Sequence, residues 1–144
     1  MRNYQYREDI ATADAAFDAF GSTPEELFMA AADATLNVMV ENIEDIRPAR
    51  FMNFRCAADS MDMLIFMILG EILFYKDAER LLYRVNSLRL KCGKGSCSID
   101  ALFAGESIDP DRHRMLVDVK AVTLHRFRVE RIVDGWEATV VLDI

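Results

Sequence analysis

Residues 116–144 read LVDVKAVTLHRFRVERIVDGWEATVVLDI, and the fold turns on this stretch. Residues 116–133 are rich in Val and carry Phe127, which predicts extended chain. Asp134-Gly135 is then the strongest hairpin signal in the sequence. A two-residue type I′ turn needs positive φ at both central positions, and Asp-Gly accepts it at least cost. Beyond the turn, Trp136, Ala138, Val140 and Leu142 alternate with Glu137, Thr139, Val141 and Asp143, the period of a strand with one face on a core. The last part of the chain is therefore expected to be antiparallel sheet.

Working outward, Gly93-Lys94-Gly95-Ser96 marks another turn, between strands at residues 81–92 and 95–104. Residues 3–8, with Tyr4 and Tyr6 against polar neighbours, and residues 15–20, AAFDAF, read as short strands before a Gly21-Ser22 turn. A helix start follows, with Thr23 as N-cap, Pro24 at the first helical position and Glu26 completing a capping box. Leu27, Ala30, Ala31, Ala34 and Val38 continue at helical spacing, so a helix is expected over 24–41. Pro48 ends anything helical before it. Residues 49–57, ARFMNFRCA, alternate as a strand, and 59–79 read as a second helix with Ser60 as cap, apolar on most sides and so central. Two helices with six to eight mostly antiparallel strands make an α+β protein. With no repeat or linker, residues 1–144 are expected to form a single domain.

Composition excludes several function classes. There are 17 Lys and Arg against 24 Asp and Glu, a net charge of −7, which argues against a broad nucleic-acid-binding face and favours cations or a basic protein partner. The most apolar run, residues 61–75, is too short and too interrupted by Asp62, Gly70 and Glu71 to span a membrane. MRNYQYREDI has no apolar leader core, and three cysteines, Cys56, Cys92 and Cys97, are an odd count. Both point to a cytoplasmic protein with reduced thiols. Cys92 and Cys97, without a second ligand pair, are no zinc knuckle, and the GKGS between them is no phosphate loop. They read simply as residues facing across a hairpin. No serine stands in a glycine-rich elbow, so acyl transfer gains no support.

Two residues resist a bland reading. Lys120 stands inside the Val-rich run VDVKAVTL, where it either points to solvent or meets a carboxylate. Asp143 closes an apolar strand and is followed by Ile144. The Asp143 side chain and the terminal carboxylate of Ile144 are hard oxygen ligands suited to a divalent cation, if another strand adds a third.

The sequence resembles the archease family along nearly its whole length, from about Tyr4 to Ile144. The HTADIG-like segment of that family is Ala11-Thr12-Ala13-Asp14-Ala15-Ala16 here. STPEELF (22–28) matches its T-x-E-E-L-F pattern, and GEILFYKDAERLLY (70–83) resembles its NELLYLFD segment and the following strand. Asp109-Pro110-Asp111-Arg112-His113, then VDVKAVTLH (117–125) and GWEATVVLDI (135–144), complete a set of blocks in matching order. Ala11 replaces the family's His, and Ala15-Ala16 its Ile-Gly.

The resemblance implies an accessory protein rather than an enzyme. Archeases activate RtcB-type tRNA-splicing RNA ligases, promoting their guanylylation and turnover, and bind a divalent cation, calcium. Carried over residue by residue, the resemblance places the metal on Asp14, Asp143 and Ile144 and a functional role on Lys120. The competing readings are a metal-free chaperone-like or structural module, which Ala11 favours, and a small metal-dependent hydrolase, for which no nucleophile or base is evident.

Overall fold

The computed structural model describes residues 2–8 and 14–144. In chain order the elements are β1 (Asn3–Arg7), β2 (Asp14–Gly21), α1 (Pro24–Met39), a 3-10 turn (Ile43–Asp45), β3 (Arg50–Ala58), α2 (Met61–Glu79), β4 (Leu81–Gly93), β5 (Ser96–Ser107), β6 (Ala121–Ile132) and β7 (Gly135–Asp143). One sheet has the order β1-β2-β7-β6 and the other β3-β5-β4, with every described pairing antiparallel. The α+β class read from the sequence holds.

The helices begin where their caps dictate. Thr23 Oγ1 accepts the Glu26 N–H at 3.2 Å, and Glu26 Oε1 accepts the Ser22 N–H at 2.8 Å. Ser60 Oγ accepts the Met63 N–H at 3.3 Å. Helix α1 ends at Met39 rather than residue 41, because Val40 turns extended and bridges to Met115. It packs on β1, β2 and β7 of the first sheet and on β4 of the second, while α2 packs on β3, β4, β5 and β6. The core lies where these faces meet. Phe17, Ala19, Ala138, Val140 and Leu142 come from the first sheet, Ile99, Ala101 and Phe103 from the second, and Leu27, Leu36, Ile65, Ile68 and Ile72 from the helices. Arg84 of β4 ties to α1 through a two-pronged pair with Asp33, Nε to Oδ1 at 3.2 Å and Nη2 to Oδ2 at 3.1 Å.

Three expectations are corrected. The β6–β7 turn is centred on Val133 and Asp134, one residue earlier than Asp134-Gly135, with Ile132 paired to Gly135. Neither central residue has positive φ, so no type I′ turn forms. Gly135 takes φ 146 instead, and a Cβ there would meet the Gly21 carbonyl oxygen at 2.2 Å, so the close approach of the β2 end fixes the glycine. Second, residues 116–120 are not strand. The Leu116 N–H donates to the Met39 carbonyl at 2.7 Å and the Val117 N–H to the Val38 carbonyl at 3.4 Å, so this segment satisfies carbonyls at the end of α1. Third, Cys92 and Cys97 are not reduced thiols. They are directly opposed across the β4–β5 hairpin, with Cα atoms 4.1 Å apart, and joined as a disulfide. Cys56 is free, and burial, assisted by the nearby Glu71, raises its thiol pKa.

Candidate functional site

The register of the first sheet builds the site. β2 runs antiparallel to β7, with Asp14 opposite Asp143, and β6 adds Ala121 on the other side of Asp143. Directly opposed residues project from the same face, so the Asp14 and Asp143 side chains share the face turned away from the helices. The alternation identifies this face, since Phe17, Ala19, Ala138, Val140 and Leu142 occupy the other and join the hydrophobic core, while Ala16 and Val141 do not. Like charges directly opposite cost about 0.2–1 kcal/mol. No hydrogen bond or ion pair reaches either carboxylate among the described residues. Two hard oxygen donors held in opposition without a counter-charge suit a divalent cation, although among the described residues no group of three or more His, Cys, Asp or Glu converges as metal ligands. Ile144, following Asp143, packs its side chain against the core. Ala11, Thr12 and Ala13 of the HTADIG-like segment lie outside the described residues.

Lys120 joins this end of the sheet through its backbone. Its N–H donates to the Asp143 carbonyl at 2.8 Å. Its side chain makes no ion pair with Asp14 or Asp143; the residue is exposed at the rim of a groove of about 300 Å³ between α2 and the start of β6. What fixes the approach to Lys120 is a residue the sequence reading passed over, Lys76. Its side chain is only 5% exposed, and Nζ donates to Asp118 Oδ1 at 2.6 Å and to the Val119 carbonyl at 2.9 Å while also pairing with Asp77. A signal existed: Lys76 continues the buried stripe Ile65, Ile68, Ile72 at helical spacing, and a cation on a buried helix face needs oxygen partners.

The DPDRH block has a different task. His113 is 1% exposed; its Nδ1 accepts the Asp109 N–H at 2.9 Å, so Nε2 carries the proton shared with Glu106 Oε2 at 2.8 Å. Glu106 also accepts the Arg47 N–H at 2.7 Å and pairs with Arg112. Burial alone would raise the Glu106 pKa. The hydrogen bonds from Arg112, Arg47 and His113, with the Arg112 charge, outweigh it and hold the carboxyl down at about 2. Arg112 also donates to the Asp45 carbonyl at 2.5 Å. This cage fastens the loop after β5 to the chain entering β3.

The second sheet gathers a small group of cations. Cross-strand register sets Arg55, Asp100 and Arg89 in one row and places Lys91 beside them, around a groove of about 450 Å³. Arg55 is paired with Asp100 at 3.3 Å. Three cations around one acid fall short of the roughly 6–10 phosphate contacts typical of strong nucleic-acid binding. No described helix is long and apolar enough to cross a membrane.

Comparison with known proteins gives the relatives of the chain. The model of the Archease protein family (MTH1598/TM1083) matches residues 4–144. The chain is similar to the protein archease of Pyrococcus furiosus, 31% identical over 145 residues covering 100% of both chains. It is also similar to that of Methanosarcina mazei, 32% identical over 99% of this chain and 97% of the other. Among solved structures it superposes on protein 1598 of Methanobacterium thermoautotrophicum with a TM-score of 0.83 at 26% identity, covering 98% of each chain. A Thermotoga maritima archease described as a possible chaperone shares the fold at a TM-score of 0.64 and 18% identity, over 97% of this chain and 98% of that one.

Proposed function

The chain belongs to the archease family, and from that premise we propose that it is an accessory protein that holds a divalent cation, calcium, and activates an RtcB-type RNA ligase in tRNA splicing. The observation that carries the reading is the opposition of Asp14 and Asp143 across β2 and β7. Ile144 would add a main-chain oxygen beside them, giving the oxygen-rich set that calcium takes at about 2.3–2.6 Å. The bound cation would supply charge and coordination sites for the ligase; the chain's own residues only hold and present it.

The acidic balance of the protein fits a basic partner surface, such as the mouth through which a ligase takes in RNA. Lys120 is held by its backbone to Asp143 and exposed at the rim of the neighbouring groove, and in this reading it would contact that partner. The metal-free chaperone-like reading keeps one observation in its favour, Ala11 in place of the family's His.

The test is guanylate incorporation into a cognate ligase with wild-type, Asp14→Ala, Asp143→Ala and Lys120→Ala proteins, with circular dichroism as folding control. The proposal expects stimulation by the wild type and its loss in each variant, with calcium binding lost in both aspartate variants. Full stimulation by folded Asp143→Ala removes the cation from the mechanism. No stimulation by the wild type turns the reading to the metal-free module.

A further inference from the structure

Helix α2 contains a glycine in its interior, Gly70, midway along 19 residues. Glycine is among the poorest helix formers, so an interior one calls for a local reason. None lies within the fold: a Cβ built on Gly70 would meet nothing within 4 Å. The missing side chain instead opens the groove beside β6. Its lining is largely apolar, with Phe66 and Phe74 one turn either side of Gly70, Leu73 beneath, and Ala121 and Val122 across on β6. Phe74 is 55% exposed, a large aromatic left to water at the edge of a concave apolar surface. Of the two charged residues on the rim, Asp77 is already paired with Lys76, while Lys120 has no ion partner among the described residues.

The groove lies one strand from the candidate site, since Ala121 in its wall is the register partner of Asp143, although it opens on the α2 side of the sheet while the Asp143 side chain projects from the other face. At about 300 Å³ it sits at the floor of the small-molecule pocket range, roughly 300–1,000 Å³, which suits a side chain better than a cofactor. An apolar hollow with one uncompensated ammonium on its rim complements an apolar side chain with a carboxylate close by.

We infer that the Gly70 groove is the docking notch for the ligase, receiving one apolar anchor residue of that partner while Lys120 pairs with a neighbouring partner carboxylate. The inference rests on the proposed ligase-activating function and names the surface through which it works. Asp143 is one strand away on the opposite sheet face, so a ligase seated in the notch reaches the cation around the β6 edge of the sheet.

The experiment titrates a cognate ligase with wild-type, Gly70→Leu and Phe74→Ala proteins, reading the concentration for half-maximal guanylylation, calcium affinity by calorimetry and melting temperature. Gly70→Leu puts a branched side chain into the notch, where the first added carbon meets nothing within 4 Å, and Phe74→Ala removes its wall. Both are expected to raise the half-maximal concentration at least about tenfold, the loss of roughly one interface anchor, with calcium affinity unchanged. Wild-type half-maximal concentrations for both variants overturn the notch while leaving the activator reading intact. If Gly70→Leu melts early, Phe74→Ala, whose ring is mostly exposed, decides alone. No stimulation by the wild type overturns both readings together.

Discussion

Two carboxylate sites in this protein are built on opposite principles. Glu106 is buried and caged by the Arg47 N–H, Arg112 and His113, so its charge is fully answered from within the fold. Asp14 and Asp143 stand opposite each other on an exterior sheet face with no answering donor among the described residues. The contrast continues along that same face. A few residues further on, Thr139 Oγ1 donates to Asp18 Oδ1 at 2.7 Å, Arg128 donates to Thr139 at 3.0 Å and pairs with Glu137, and Arg7 approaches Asp18 at 3.7 Å. Exposed acids such as Asp59, Asp62 and Asp134 also stand without a partner among the described residues, so what sets Asp14 and Asp143 apart is that the register holds two unanswered acids directly opposite each other. Charge satisfaction marks Glu106 as structural, and unanswered opposition marks Asp14 and Asp143 as the candidate pair.

The largest expected effect comes from breaking the cage. Glu106→Ala leaves Arg112 and the His113 ring without their acceptor, and removing one partner of such a buried pair costs roughly 3–5 kcal/mol. Chemical denaturation should show a stability loss of that size; a loss below about 1 kcal/mol would mean the cage is ornamental.

The same cage predicts a pH dependence. The Glu106 pKa is depressed from 4.5 to about 2 in the folded state, so the unfolded chain binds the proton first as pH falls. The stability Glu106 contributes is present above about pH 4.5 and is lost as pH falls from there toward about 2. Urea midpoints measured between pH 6 and 3 should fall more steeply for the wild type than for Glu106→Gln, whose side chain cannot titrate. Parallel slopes would place acid sensitivity elsewhere.

A smaller effect is expected at Gly70, where the fold supplies no reason for glycine. Gly70→Ala should raise helix stability by up to about 1 kcal/mol, seen as a higher melting temperature in calcium-free buffer. A lower one would mean that α2 itself needs the gap.

The smallest change in stability, and the one that most sharpens the contrast, belongs to Asp143→Asn. Removing one of two opposed charges should leave stability unchanged or raise it by roughly 0.5 kcal/mol in chelator. Added calcium should lift the melting temperature of the wild type and not that of the variant. Destabilisation of the metal-free variant would place Asp143 with the structural acids.

The elements themselves were open to reading in the sequence, because their signals are local. Thr23-Pro24 with Glu26 fixed the start of α1, Ser60 that of α2, and period-two alternation the register-bearing strands. Local chemistry also singled out Asp143 and Lys120, and the resemblance added Asp14. It could not fix the Val133-Asp134 turn, because the close approach of Gly21 to Gly135 is a contact across the sheet. Nor could it assign residues 116–120, whose Val-rich pattern is extended while their N–H partners are carbonyls at the end of α1. The Glu106 cage, the burial of Lys76 under Asp118 and Val119, and the notch at Gly70 all join residues far apart in the chain. Helices and strands follow from short-range hydrogen bonding and side-chain period, which a sequence carries on its face. Which acid is answered and which is left open depends on what the packed chain brings within 3 Å of it, and only the tertiary structure decides that.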